Sequence, residues 1–391
     1  MQTLGLVLSG GGARAAYQAG ALAAIGDICS ELKIKNPFQI YSGVSAGAVN
    51  TSVITSHDGN FSLACKRLLD LWSNIESEDV FVSNPVSLTG TGIHWLLDLS
   101  MGGIKKSTPG KSLLDTAPLR KLIEKHVDFS RIQKKIDTGE MQALAITALD
   151  YLNANSTTFV QGIKDTPSWN RVRRKSVSAK ITVDHLMASA AIPILFPPVE
   201  VDPYGYFGDG SIRNLSPCAP AIFLGCDRIL AIGVRCKSDP CNSQKNNPLE
   251  EAPTVARIVS VLLHAVMMDG IELDIERIER INRDMKNIIE TERKKLSVRI
   301  VDALWIAPSR DLSEIAANKS GDLPRMIRYL LRGLGSLEEA SEITSFLLFE
   351  KTYCQHLQEL GFEDAMRQKE QIVRFFTDEN TLITGQQEIK P

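Results

Sequence analysis

The chain has no long apolar run. Across its 391 residues no stretch reaches the ~20 uninterrupted apolar residues that a membrane-spanning helix needs. It also lacks a charge bias. Lys and Arg number 44 against 46 Asp and Glu, a net charge of −2, which argues against nucleic-acid binding, since that usually shows as a basic face. Cysteine is sparse. The seven (Cys29, Cys65, Cys218, Cys226, Cys236, Cys241 and Cys354) are scattered and odd in number, which argues against a disulfide framework and for a reducing compartment. Cys236 and Cys241 stand close together but have neither a second pair nor histidines at zinc-site spacing. No His and carboxylate set has ligand spacing either, so neither a metal nor a cofactor is expected, and calcium dependence is not. The amino end, Met1-Gln2-Thr3-Leu4-Gly5-Leu6-Val7-Leu8, has no basic leader, and its apolar run breaks at once into Gly10-Gly11-Gly12. No cleaved signal peptide is expected and the protein is expected to be cytoplasmic; export without a cleaved signal stays open.

What is present suits a globular protein with a large core: 43% hydrophobic and 23% charged residues. The length allows about two or three domains. Leu4–Leu8 reads as a buried strand, Gly10–Gly12 as a turn, and Ala13–Leu32 as an Ala-rich helix. Phe38–Tyr41 is a second strand, with a helix start after it over Ala48–Ser56. Phe61–Ser73 and Pro118–His126 have helical periodicity. Met141–Ala148, Ser156–Val160, Tyr204–Asp209, Arg228–Val234 and Val298–Ile306 read as strands or strand-like segments, with a short helix at Asp184–Ala190. Strands alternating with helices predict a mostly parallel α/β sheet. From Thr254 to Lys294 the apolar residues fall three and four apart, as in a long amphipathic helix, and Pro324–Phe376 is helical again with turns expected near Gly335 and Gly361.

Three segments carry chemistry together. Ser45 sits in Gly43-Val44-Ser45-Ala46-Gly47, between strand and helix. This is the nucleophile-elbow pattern, in which Gly43 and Gly47 let neighbouring elements approach a serine presented at a helix's positive end. Alone it is weak: by composition it turns up in roughly one chain of this length in ten. The second segment is Ser9-Gly10-Gly11-Gly12-Ala13-Arg14, a glycine loop whose backbone N–H groups suit an anion, either a phosphate or a transient oxyanion. The third is Gly208-Asp209-Gly210-Ser211, a carboxylate held between glycines. Acyl transfer needs a nucleophile, a base and donors aimed at the oxyanion. Ser45, Asp209 and Gly10–Gly12 supply those parts, with Arg14 to steady the loop or the charge. Burial is expected to raise the Asp209 pKa above the ordinary ~4.

With these motifs in order, joined by Ala188-Ser189-Ala190-Ala191-Ile192-Pro193 leading to Phe196-Pro197-Pro198, the sequence resembles the patatin-like phospholipase family, and within it the bacterial branch. Arg328–Gly335 and Ser345–Phe349 look like that branch too, so the resemblance covers most of the chain. It implies a three-layer α/β/α fold with a mostly parallel central sheet, a catalytic domain over residues 1–310 and a helical extension over 311–391. It also implies a Ser45–Asp209 dyad in place of a triad, an oxyanion hole at Gly10, Gly11 and Gly12, and hydrolysis of phospholipid or lysophospholipid acyl esters through an acyl-enzyme. Where the family most often has Gly or Ala after the Asp-Gly pair, this chain has Ser211, a small side chain expected to affect Asp209 little.

Other readings compete. A soluble carboxylesterase, thioesterase or acyltransferase needs the same dyad. Gly10-x-Gly12-x-x-Ala15 also fits a dinucleotide fingerprint, but the following strand ends Ile40-Tyr41-Ser42 without the acidic residue that would hold a ribose. Gly110-Lys111-Ser112 resembles the tail of a phosphate-binding loop, yet Lys105 stands where its first glycine belongs. A catalytically inactive binding protein is the third class. Among six histidines, His185 is the rival base, set against a helix-start role. Ile93, Trp95, Leu96 and Leu97, near Lys105, Lys106 and Lys111, suit a lid or membrane anchor as well as a packed helix. Arg171, Arg173, Arg174 and Lys175 suit a solvated hairpin or a headgroup contact. A lipid substrate and peripheral membrane contact are the expected partners; the oligomeric state is not fixed by the sequence.

Overall fold

The structure, a computed structural model, describes residues 2–82, 112–237, 258, 261, 270–293, 295–325, 327–328 and 341–377. The expected lid residues Ile93, Trp95, Leu96 and Leu97, together with Lys111, Cys241 and Gly335, lie outside them.

Among the described residues ten strands form one sheet: β1 (Leu4–Leu8), β2 (Ile40–Val44), β3 (Ala143–Asp150), β4 (Asn155–Gly162), β5 (Asn170–Arg171), β6 (Arg174–Ser178), β7 (Val199–Val201), β8 (Gly205–Asp209), β9 (Arg228–Ile232) and β10 (Asp302–Ile306). The order along the sheet is β10-β9-β1-β2-β3-β4-β6-β5, with the β7–β8 hairpin paired to β3. The first five strands of that order run parallel, whereas β4 and β8 run antiparallel to β3. The expected mostly parallel α/β fold is what forms.

Alternation along the strands fills both faces. Leu6, Leu8, Leu144, Ile146, Leu230 and Ile232 enter one core. Val7, Ile40, Ala143, Ala145, Ile229 and Ala231 enter a second on the opposite face. A strand buried on both sides must be apolar at consecutive positions, which is why LGLVL and the ILAI that follows Arg228 read as unbroken runs. The first core is covered by α1 (Ala16–Glu31), α2 (Ala46–Thr55), α3 (Phe61–Asn74), α4 (Ala117–His126) and α5 (Val183–Ser189). The second lies under α6 (Ala219–Phe223) and α7 (Ile271–Lys286). The carboxyl-terminal helices α8 (Ser341–Leu347), α9 (Lys351–Arg367) and α10 (Lys369–Thr377) join the first face.

One glycine overturns a local expectation. Gly361 was expected to mark a turn, but it lies inside α9. A Cβ there would strike the Tyr17 carbonyl of α1, and one at Gly20 of α1 would strike the Gln358 carbonyl of α9. Both glycines let two helix backbones touch, and Tyr17 Oη seals the crossing by donating to Asp364 Oδ2 at 3.1 Å. The second strand also differs from its expected span. It runs over Ile40–Val44, because Ser42 and Gly43 are buried members of the ladder in spite of their polarity and size. The strand expected over Val298–Ile306 begins only at Asp302.

Candidate active site

The carboxyl ends of parallel strands are where an open α/β sheet places its ligands. Here β1 and β2 end side by side, the first running into the glycine loop and the second into Ser45. Register fixes the third partner. Val44 of β2 pairs with Thr147 of β3, and Asp209 of β8 pairs with Ala148, one residue further up the same strand. Segments more than 160 residues apart in sequence are thereby set at one level of the sheet.

Ser45 occupies the tight bend between β2 and α2 with φ 54° and ψ −129°. A residue with a side chain is rarely left-handed, and such strain costs about 1–3 kcal/mol. It is held from both sides. Its N–H donates to Ser189 Oγ at 2.8 Å, and Ser189 Oγ in turn donates to the Thr147 carbonyl at 2.6 Å. Its own carbonyl accepts from the Ala48 amide of α2 at 2.9 Å. Close approach explains the flanking glycines: a Cβ at Gly47 would strike the carbonyls of Leu8 and Ser9, and one at Gly43 would meet the Gly47 carbonyl at 2.5 Å.

Ser45 Oγ donates to Asp209 Oδ2 at 2.6 Å. The other carboxylate oxygen, Oδ1, accepts from the Ser211 amide at 2.8 Å. Both residues are buried, Ser45 to 2% and Asp209 to 0% exposure. Burial pushes the Asp209 carboxyl up to about 6, against the downward pull of its hydrogen bonds from Ser45 and Ser211. Ser211 Oγ is buried with no partner among the described residues and lies where a Cβ at Gly10 would fall. Gly10 itself sits against Ser45: that Cβ would be 2.9 Å from the Ser45 Cβ. The amides of Gly10, Gly11 and Gly12 donate to no protein acceptor among the described residues. Gly12 is left-handed at φ +54°, and a side chain there would strike the Phe346 carbonyl.

Arg14 does not reach into this cleft. Its Nη2 meets Glu342 at 2.5 Å, its Nε donates to Ser345 Oγ at 2.7 Å, and its guanidinium lies 4.6 Å from the Phe346 ring centroid. These contacts fit the loop-steadying alternative, by tying the glycine loop to α8. A second support was not visible in the sequence. Gln18 Nε2 donates to the Ser9 carbonyl at 2.8 Å and to Ile232 at 3.2 Å. Asn50 Nδ2 donates to Gln18 Oε1 at 3.0 Å, and Trp72 Nε1 donates to Asn50 Oδ1 at 2.8 Å. The sequence signal for this relay is a single amide side chain in each of two helices, Gln18 in α1 and Asn50 in α2.

His185 stands apart. Its Nδ1 accepts from the Thr182 amide at 3.1 Å, capping α5. The ring meets Phe159 edge-on at 4.6 Å, and burial pulls its pKa down to about 4. No hydrogen bond joins it to Ser45 or Asp209. From Ser45 an apolar cavity of about 40 Å³ leads inward between Val49, Trp72, Leu122, Ile192, Phe196 and Phe349. Among the described residues no cluster of three or more His, Cys, Asp or Glu side chains could hold a metal, and no helix is long and apolar enough to cross a membrane.

An elbow serine, a buried carboxylate and a glycine loop meet at the carboxyl end of a mostly parallel sheet. A family model of patatin-like phospholipases matches residues 6–222, more than half of the chain, and the chain belongs to that family. No curated protein matches it. Solved structures similar to it include VipD from Legionella pneumophila, at 11% identity and TM-score 0.33, covering 95% of this chain and 67% of that one. Human GIVD cytosolic phospholipase A2 is similar at 12% identity and TM-score 0.39, over 96% of this chain and 59% of its own. The type III effector protein ExoU is similar at 15% identity and TM-score 0.30, over 88% and 74%. The family assignment rests on the family match.

Proposed function

We propose that this chain is a serine lipid acyl hydrolase that cleaves fatty-acyl esters of phospholipids or lysophospholipids through an acyl-enzyme on Ser45. The observation that carries this is the 2.6 Å hydrogen bond from Ser45 Oγ to a buried Asp209 carboxylate. Ser45 Oγ attacks the ester carbonyl carbon as its proton passes to Asp209 Oδ2. The carbonyl oxygen becomes an oxyanion beside the glycine loop and accepts from the amides of Gly10, Gly11 and Gly12. Collapse breaks the ester C–O bond, and the leaving alcohol takes the proton from Asp209. Water then repeats the sequence on the acyl-enzyme, giving its proton to Asp209 and releasing the fatty acid. A carboxyl at about 6 is a closer match to the serine hydroxyl than one at the ordinary value of 3.8, yet stays mostly ionised near neutrality.

The apolar cavity beside Ser45 favours an acyl chain over a polar acyl group. Residues 1–310 then serve as the catalytic region, and 311–391 as an extension that braces the glycine loop through Arg14. The test is a substrate panel of phospholipids, lysophospholipids, neutral glycerides and short p-nitrophenyl esters, with the Ser45→Ala protein as blank. Ser45-dependent release of fatty acid from the first two classes is the expected result. Activity confined to short esters or thioesters would make the protein a soluble esterase with the same dyad, and activity undiminished in Ser45→Ala would overturn the mechanism.

A further inference from the structure

Three hairpin turns project from the carboxyl rim of the sheet, the rim that carries Ser45. Register sets their heights. Val44 pairs with Thr147, Asp150 with Asn155, Ser156 with Arg174, and Asp150 with Phe207. The β3–β4 turn at 151–154, the β5–β6 turn at 172–173 and the β7–β8 turn at 202–204 therefore all rise beyond the level of Ser45.

Their tips are unusually apolar for exposed turns. Leu152 and Val172 are each 87% exposed, and Tyr204 and Tyr206 are 40% and 49% exposed. One exposed aliphatic residue calls for no explanation, but four large apolar side chains on one rim do. They are interleaved with Arg171 and Arg173, whose side chains form no ion pair among the described residues. Their neighbours are engaged: Lys175 meets Asp150 at 3.3 Å, and the Arg174 guanidinium lies 5.9 Å from the Phe223 ring centroid. The acidic residues of the third hairpin are Glu200 and Asp202, and Glu200 accepts from Tyr206 Oη at 3.3 Å.

We propose that this rim is a docking surface for a lipid bilayer carrying anionic phospholipid. Arg171 and Arg173 sit at headgroup level, Leu152 and Val172 enter the acyl boundary, and the two tyrosines lie at the interface, where amphipathic rings are favoured. With a net charge of −2 on the whole chain, attraction to an anionic surface must come from such a local cluster. Two cations, Arg171 and Arg173, beside the exposed aliphatic tips Leu152 and Val172 are the combination that an anionic bilayer surface favours. The purpose of the surface rests on the acyl-hydrolase reading of Ser45, but binding is measurable without turnover.

The experiment is sedimentation of the full chain with phosphatidylcholine vesicles, with and without phosphatidylserine. Binding is expected only to the anionic vesicles and should weaken with salt. Arg171→Ala with Arg173→Ala should lower the partition coefficient about thirtyfold, and Leu152→Ser with Val172→Ser about tenfold or more. Hydrolysis of a soluble short-chain p-nitrophenyl ester should be unchanged in both, which also reports that they fold. Equal vesicle binding by wild type and both double variants, or no binding to any vesicle, overturns the docking surface. A protein partner at this rim would show as that second result. Ser45→Ala separates the two proposals: it should bind vesicles as wild type does and lose ester hydrolysis. If it keeps hydrolysis, the acyl-hydrolase reading falls while the docking result stands.

Discussion

Asp209 is held in an environment that opposes its charge, and the cost should be measurable as stability. Its carboxyl lies at about 6 in the folded chain against 3.8 ordinarily. At about 1.4 kcal/mol per tenfold change in proton affinity, ionised Asp209 costs the native state about 3 kcal/mol. The sign follows from where the proton binds more tightly. Above pH 6 Asp209 is ionised whether the chain is folded or not, and the full penalty applies. As pH falls from 6 to 3.8 the folded form takes up its proton first, and the penalty disappears. Asp209→Asn imitates the protonated side chain. Its carbonyl can accept from the Ser211 amide and its NH2 can donate to Ser45 Oγ, so the local hydrogen bonds survive. The variant should therefore be more stable than wild type by about 2–3 kcal/mol near pH 8, and by almost nothing near pH 4, while hydrolysing no ester. Urea denaturation of both proteins across that range measures the difference. A gap that does not change with pH, or an Asn variant less stable near pH 8, would refute the claim that desolvation governs this carboxylate.

Three further outcomes follow from the same geometry. Ser45→Gly should abolish ester hydrolysis yet be more stable than Ser45→Ala by about 1–2 kcal/mol in thermal melts, because both lose the hydroxyl and only glycine adopts φ 54° without strain; equal melting temperatures of the two variants would show that the bend is not strained. Trp72→Leu should shift selectivity toward longer acyl chains, read as the ratio of kcat/KM for long and short p-nitrophenyl esters, since the indole closes one wall of the cavity; an unchanged ratio would remove Trp72 from the acyl site. His185→Gln should leave the acid limb of kcat/KM in place, with activity falling as pH drops through about 6, because that limb belongs to Asp209; a displaced limb would make His185 the base.

The parts of the fold that the sequence announces are those where physical constraint and composition coincide. LGLVL and the ILAI of β9 are strands whose two faces are both buried, so neither run carries a polar position to blur the pattern. Ile40–Val44 was half hidden, since a strand that ends at an elbow must carry Ser42 and Gly43 for close packing and not for hydrophobicity. Gly361 looked like a breaker because a glycine serving two touching helices is identical in sequence to one ending a helix. The hairpin expected at Arg171–Lys175 forms as β5 and β6, whereas the three residues of β7 are too few to show a pattern. At the site, Ser45, Asp209 and the three loop glycines stand out because each has glycine neighbours that only a tight approach explains. Ser189, Gln18 and Asn50 do not stand out in the sequence: a serine among alanines, or one amide in a helix, acquires meaning only when a partner far along the chain is brought beside it. Arg14 was noticed, but its partners Glu342 and Ser345 lie more than 300 residues away, beyond any local pattern.

The central claim is that Ser45 is a nucleophile activated by Asp209. Its most direct test is reaction of the full chain with a long-chain fluorophosphonate, followed by intact mass measurement and peptide mapping. A single adduct on Ser45 is expected, formed far more slowly in Asp209→Asn and absent in Ser45→Ala. An adduct on another residue, or ester hydrolysis that persists with Ser45 unlabelled, would contradict it.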